Sequence, residues 1–147
     1  MQLIWSAGAS PLLIAFLPLY LYALTNGDKT DMASGHVLAL GALLSFALGF
    51  YLVKPAPGWP YSAGQIGIET LILAAQTAIA VRTSRHYPIV MAAAQLLVVI
   101  AGGLSLMSLI GQPQTLLVIL AGASIIQLGA FACGLASRLR LLPGPQR

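Results

Sequence analysis

Apolar residues fill this chain in long runs rather than in alternation, and short polar or proline-rich breaks separate the runs. A membrane-crossing helix needs about 20 mostly apolar residues, and five stretches fit, at about residues 3–24, 35–53, 62–81, 87–110 and 115–137. The breaks have turn chemistry. Asn26-Gly27-Asp28 is a turn signal, Lys54-Pro55-Ala56-Pro57-Gly58 excludes helix, and Gly111-Gln112-Pro113 is a tight stop. Arg82-Thr83-Ser84-Arg85-His86 is a polar hinge ahead of Pro88, a residue suited to the first turn of a helix. The pattern predicts an all-α integral membrane protein, a bundle of five transmembrane helices forming one domain over residues 1–147. The first helix contains Pro11 and Pro18 and is expected to be kinked. No basic residue precedes its apolar stretch, so it reads as a retained helix rather than a cleaved signal peptide.

Composition sharpens the class. Hydrophobic residues make up 59% of the 147 and charged residues only 7%, with a mean hydropathy of +0.90. Soluble domains carry about a quarter charged residues, so ten charges are too few to solvate a soluble monomer. Disorder is excluded by the same figures. The net charge of +4 forms no basic stripe with interleaved aromatics, so no nucleic-acid partner is expected. A single cysteine, Cys133, excludes a disulfide framework and CxxC metal sites. Under five spans, Lys29, Arg82, Arg85, Arg138, Arg140 and Arg147 fall on one side of the bilayer and Lys54 alone on the other. That bias places the N-terminus outside and the C-terminus in the cytoplasm. Trp5, Trp59 and Tyr61 then lie at the outer interface, and Tyr20, Tyr22 and Tyr87 at the inner one.

Glu69 is the one acidic residue deep in a span, and an intramembrane carboxyl is costly enough to be a functional candidate by default. Gln65, Glu69 and Gln76 lie within about 40° of one another around helix three, forming a polar stripe. If helices three and four fold back symmetrically near residue 85, Gln76 is level with Gln95. A further turn near residue 112 brings Gln127 close to the same depth. Three glutamines from three helices are thus expected in one layer, with Glu69 nearer the outside, level with Gly102, Gly103 and Gly122. Such glutamines either hold helices together or line a path for a proton or ion. Glu69 is either a hydrogen-bonded structural carboxyl, a coupling group, or a contact for a ligand or partner.

Small residues give a second signal. Gly41, Ser45 and Gly49 recur every four residues on helix two, and Gly129, Cys133 and Ser137 do so on helix five, with Gly134 beside them. These faces serve close helix packing, within the chain or between chains. Arg82, Arg85, Arg138 and Arg140 are candidate contacts for anionic lipid, or topology determinants alone. His36 and His86 fall at helix ends, where haem ligation is a poor fit. Asp28 and Asp31 near His36 match no metal-ligand spacing. No HExxH, GxSxG or phosphate loop occurs, and no Ser/His/Asp set shares one depth, so no enzyme is expected and no cofactor is specified.

Glu69, the hinge Val81-Arg82-Thr83-Ser84-Arg85-His86-Tyr87-Pro88 and Ala92-Ala93-Ala94-Gln95 resemble a family of small polytopic bacterial proteins of unknown function. The family has an acid in that helix, an R-S-x-R-Y-W-P hinge and a glutamine in the next span. Gly58-Trp59-Pro60 leading into Gly67 is similar as well. The likeness covers about residues 57–99, and the hinge here reads His86-Tyr87-Pro88 where the family has Tyr-Trp-Pro. It implies a multi-pass protein of the bacterial inner membrane and adds weight to Glu69 and Gln95, but implies no chemistry.

Short loops, absent catalytic residues and abundant small-residue faces lead to one functional expectation. The chain is a non-catalytic subunit or accessory protein of a larger inner-membrane assembly, touching lipid and other membrane polypeptides or its own copies. The alternative is a small oligomeric proton-coupled transporter or channel that uses Glu69. A pigment-, haem- or quinone-binding membrane protein is the third reading.

Overall fold

The computed structural model describes residues 2–47, 63–107, 109–110 and 113–139. Gly49, Lys54, Trp59, Tyr61, Arg140 and Arg147 lie outside the described residues, as do the side chains of Trp5 and Arg138. The described chain is all-helical: α1 is Gln2–Asn26, α2 Lys29–Ala47, α3 Ala63–Arg82, α4 Tyr87–Leu106 and α5 Pro113–Leu139. Three helical stretches, Gly64–Arg82, Tyr87–Leu106 and Gln114–Ser137, are long and apolar enough to cross a membrane, and Ile14–Asn26 is a shorter apolar stretch.

The helix ends follow local chemistry. α1 runs through Pro11 and Pro18 without interruption and closes where the Gly27 N–H donates to the Ala23 carbonyl at 2.9 Å. Asp28 then caps α2. Its Oδ1 accepts the N–H groups of Thr30 and Asp31, each at 2.9 Å, and Asp31 Oδ2 accepts the Asp28 N–H at 3.2 Å. This reciprocal arrangement satisfies donors that a helix start otherwise leaves bare. α2 therefore begins at Lys29, upstream of the apolar stretch that opens near residue 35, because the polar stretch after Asp28 is the capped first turn of the helix. α4 starts with Pro88 in its first turn and ends at Leu106, short of residue 110, with the Met107 N–H on the Gly103 carbonyl at 3.1 Å. α5 opens on Pro113, whose missing N–H costs nothing at that position.

Each helix packs on its neighbour in chain order, α1 closes on α5, and α2 also meets α5. The result is a ring in which helices adjacent in the chain run antiparallel and α1 closes on α5. On α4 the buried positions Tyr87, Met91, Ala94, Gln95, Val98, Ala101, Gly102 and Ser105 keep helical spacing, so one face of α4 turns inward. At the end of the bundle that carries the Thr83–His86 hinge (the hinge end), Ala23, Tyr87, Met91, Phe131 and Leu135 form one buried cluster. Ala101 and Leu116 form another toward the opposite end. The outer surface is apolar: Leu43, Leu71, Val81 and Val118 are all strongly exposed. An apolar exterior of this extent is matched to lipid.

Glycines divide into two sets. A Cβ on Gly41 would lie 2.6 Å from Ile72 Cδ1, and one on Gly134 would lie 2.5 Å from the Tyr87 ring, so these positions let α2 approach α3 and α5 approach α4. Gly35 does the same against Tyr20, at 2.9 Å. Nothing lies within 4 Å of such an atom at Gly103, Gly122 or Gly129. The expected packing role therefore holds within the chain for Gly41 and Gly134, while Gly102 is buried on α4. Gly103, Gly122 and Gly129 show no such close approach among the described residues. Because the Tyr87 ring is wedged among buried side chains, Gly134→Ala should cost about 1–3 kcal/mol. Thermal unfolding in detergent should show the midpoint falling for Gly134→Ala and staying put for Gly103→Ala; equal midpoints would contradict this packing.

Candidate functional site

Polar side chains of four helices meet in the middle of the bundle. Ser45 on α2 donates through Oγ to Glu69 Oε1 at 3.2 Å. Gln95 on α4 donates through Nε2 to Glu69 Oε2 at 2.6 Å and to the Glu69 carbonyl at 3.2 Å. Gln127 on α5 donates to Gln95 Oε1 at 2.6 Å and to the Met91 carbonyl at 3.4 Å. Gln95 and Gln127 are buried, Ser45 and Glu69 half-buried. Every donor in the chain points toward Glu69, whose two oxygens both accept. The two amides and the Ser45 hydroxyl therefore converge on one carboxyl.

The expected layer of three glutamines forms only in part. Gln95 and Gln127 are joined, as their depths predict, but the third member is Glu69 rather than Gln76. Glu69 is not bonded at the level of Gly102 and Gly103, because the hinge is not a symmetric turn. Gln76 is 2% exposed, and neither atom of its amide has a hydrogen-bond partner among the described residues. Gln65 is half-buried one turn from Glu69 on α3. Ser45, expected as a packing residue, also supplies a hydrogen bond to the carboxyl.

A second cluster occupies the hinge end. Arg85 donates through Nη1 to Asp31 Oδ1 at 2.9 Å and through Nη2 to Asp28 Oδ2 at 2.5 Å. Tyr87 donates its hydroxyl to Asp31 Oδ1 at 2.7 Å. Asp31 is fully buried, whereas Arg85 and Asp28 keep about a third of their surface, 34% and 33%. Burial works against the Arg85 charge, but the facing carboxylates of Asp31 and Asp28 outweigh it and hold its pKa above the ordinary value. Two carboxylates against one guanidinium leave Arg85 no free positive charge for a lipid headgroup. Arg82 is exposed at the end of α3.

This cluster escaped the sequence reading although its signals were present. Asp28 and Asp31 have capping-box spacing ahead of an apolar run, and the basic-residue count puts them on the same side as Arg85. The remaining candidates sit apart. His36 is exposed, donates through Nδ1 to the Met32 carbonyl at 2.6 Å, and packs edge-on against Tyr20. His86 is exposed and makes no side-chain cap bond to α4. Among the described residues no group of three His, Cys, Asp or Glu side chains could hold a metal ion.

Comparison with family models, with curated proteins and with solved structures returns no match. The likeness of residues 57–99 to small bacterial membrane proteins therefore rests on the shared motif alone.

Loss of Arg85 would remove the guanidinium that faces buried Asp31. Breaking a fully buried pair costs about 3–5 kcal/mol, and solvent access to Arg85 reduces this to about 2 kcal/mol. Equilibrium unfolding in mixed micelles should therefore show Arg85→Gln clearly weaker than wild type and Arg82→Gln within about 0.5 kcal/mol of it. The two variants behaving alike would contradict the assigned ion pairs.

Proposed function

We propose that this chain is a non-catalytic subunit or accessory protein of a larger assembly in the bacterial inner membrane. In this reading it crosses the bilayer five times, with its N-terminus outside and its C-terminus in the cytoplasm. The observation that carries the reading is the outer face of α5. Gly129, Cys133 and Ser137 are all exposed and line, with Val90 and Ile126 among others, a groove of about 590 Å³ between α4 and α5. The related small positions Gly41 and Gly134 are filled from within the chain, whereas a Cβ on Gly129 would meet nothing within 4 Å among the described residues. Small-residue faces drive helix association in lipid because they allow backbones to approach closely. An exposed small-residue face of this kind suits a helix from another polypeptide.

Native gel electrophoresis of mildly solubilised source membranes tests this. Wild type should migrate in a species larger than the 15.3 kDa chain, and Gly129→Leu should shift at least ten-fold more of it to the monomer. Because Cys133 is the sole cysteine, oxidative cross-linking there distinguishes a second copy from a different partner. A lone monomer unchanged by Gly129→Leu would overturn the reading.

The convergence of donors on Glu69 favours a second reading, a small proton-coupled carrier or channel. Here Glu69 is the coupling group and the glutamine chain its surround. In proteoliposomes, a pH-gradient-dependent cation flux lost in Glu69→Ala would support it; equal flux in both would refute it.

A further inference from the structure

Gln76 has no account in either cluster. It is fully enclosed, yet both polar atoms of its amide lack a protein partner among the described residues. Leaving an amide unpaired in an apolar interior costs on the order of 2–7 kcal/mol. The register of the bundle shows why no side chain meets it. The Ser45–Glu69 bond and the seating of Gly41 on Ile72 fix α2 against α3, and the Gln95–Glu69 bonds fix α4 against α3. Two helical turns toward the hinge end, about 10 Å along the axis, the same level holds Leu38 on α2, Gln76 on α3 and Pro88 on α4. Leu38 has no polar group, and Pro88 has no N–H to give. By the same register Tyr87 lies at about this level, and the buried Ser34 and Asp31 lie about one and two turns further toward the hinge end. On the other side lie the Met91 carbonyl and Gln127, which lead to Gln95 and Glu69.

We infer that Gln76 holds bound water inside the bundle, and that this water joins the Asp31–Tyr87 cluster at the hinge end to the Gln127–Gln95–Glu69 chain. A buried water makes about three hydrogen bonds to groups that are otherwise unsatisfied, and the Gln76 amide offers both donors and an acceptor. Asp28, Asp31, Arg85 and Tyr87 stand at the hinge end of this route and Glu69 at its far end, with the Gln127 amide as the contribution of α5. The inference needs neither a partner in the α5 groove nor a transported ion, so it stands or falls separately from the functional readings above.

Nuclear magnetic resonance of wild-type protein with 15N-labelled glutamine side chains, in detergent micelles, tests it directly. The Gln76 Nε2 protons should show magnetisation transfer with water. A Gln76 amide that shows none, with exchange as slow as that of the protected backbone, would overturn the inference. Gln76→Leu supplies an independent reading, since leucine keeps the bulk and removes the polar atoms. If water is bound, this variant unfolds at a lower temperature and slows exchange of the Gln127 side-chain amide at least five-fold. If the site is dry, removing an unsatisfied amide raises the unfolding temperature and leaves Gln127 exchange unchanged, which would overturn the inference.

Discussion

Glu69 is a half-buried carboxyl in an apolar bundle, and hydrogen bonds from two neighbouring helices meet on it. Ser45 approaches one oxygen from α2 and Gln95 approaches the other from α4. Both bonds require definite registers of α2 and α4 against α3, and the rest of the packing is built on those registers. Gly41 seats Ile72 one turn from the Ser45 bond. Gln127 reaches Gln95 only with α5 in its own fixed place, and Gly134 makes room there for Tyr87. Isolated polar bonds in membrane helices contribute about 0.6 kcal/mol on average. Their importance here lies in specifying one register among several that an apolar surface would tolerate equally.

A second tie works at the hinge end. Arg85 bridges Asp28 and Asp31, and Tyr87 shares the Asp31 carboxylate. The same two aspartates cap α2, so the start of that helix and the start of α4 are held by one group of side chains. This arrangement draws the hinge onto α2. The middle of the bundle and its end are therefore fixed by separate polar clusters, with Gln76 lying between them.

The five helices were legible from apolar runs and their breaks, because Pro and Gly at positions 55, 57, 111 and 113 leave few alternatives. The pairing of Gln95 with Gln127 was legible from depth alone, since α4 and α5 are joined by a tight turn. The place of Gln76 was not. Depth counting treats the hinge at residues 83–86 as a symmetric turn, whereas Glu69 pairs with Gln95, a register several residues away from the one that symmetry gives. The first turn of α2 was missed because Lys29, Thr30 and Asp31 look like a solvated loop when each is judged by polarity. Their spacing from Asp28 carried the helix start. Which small residues face inward was also beyond the sequence: Gly129 and Gly134 sit in the same helix five residues apart, and only the packing separates an open face from a filled one.

The most direct test of the Glu69–Gln95 bond as the determinant of register is a double-mutant cycle. Glu69→Leu, Gln95→Leu and the double variant would be measured with wild type by reversible unfolding in mixed micelles. A shared hydrogen bond to a carboxylate predicts a coupling energy of about 1–2 kcal/mol, the double variant losing less than the two single losses combined. Additivity within about 0.3 kcal/mol would contradict the account, because it would mean that α3 and α4 are held in register by apolar packing alone.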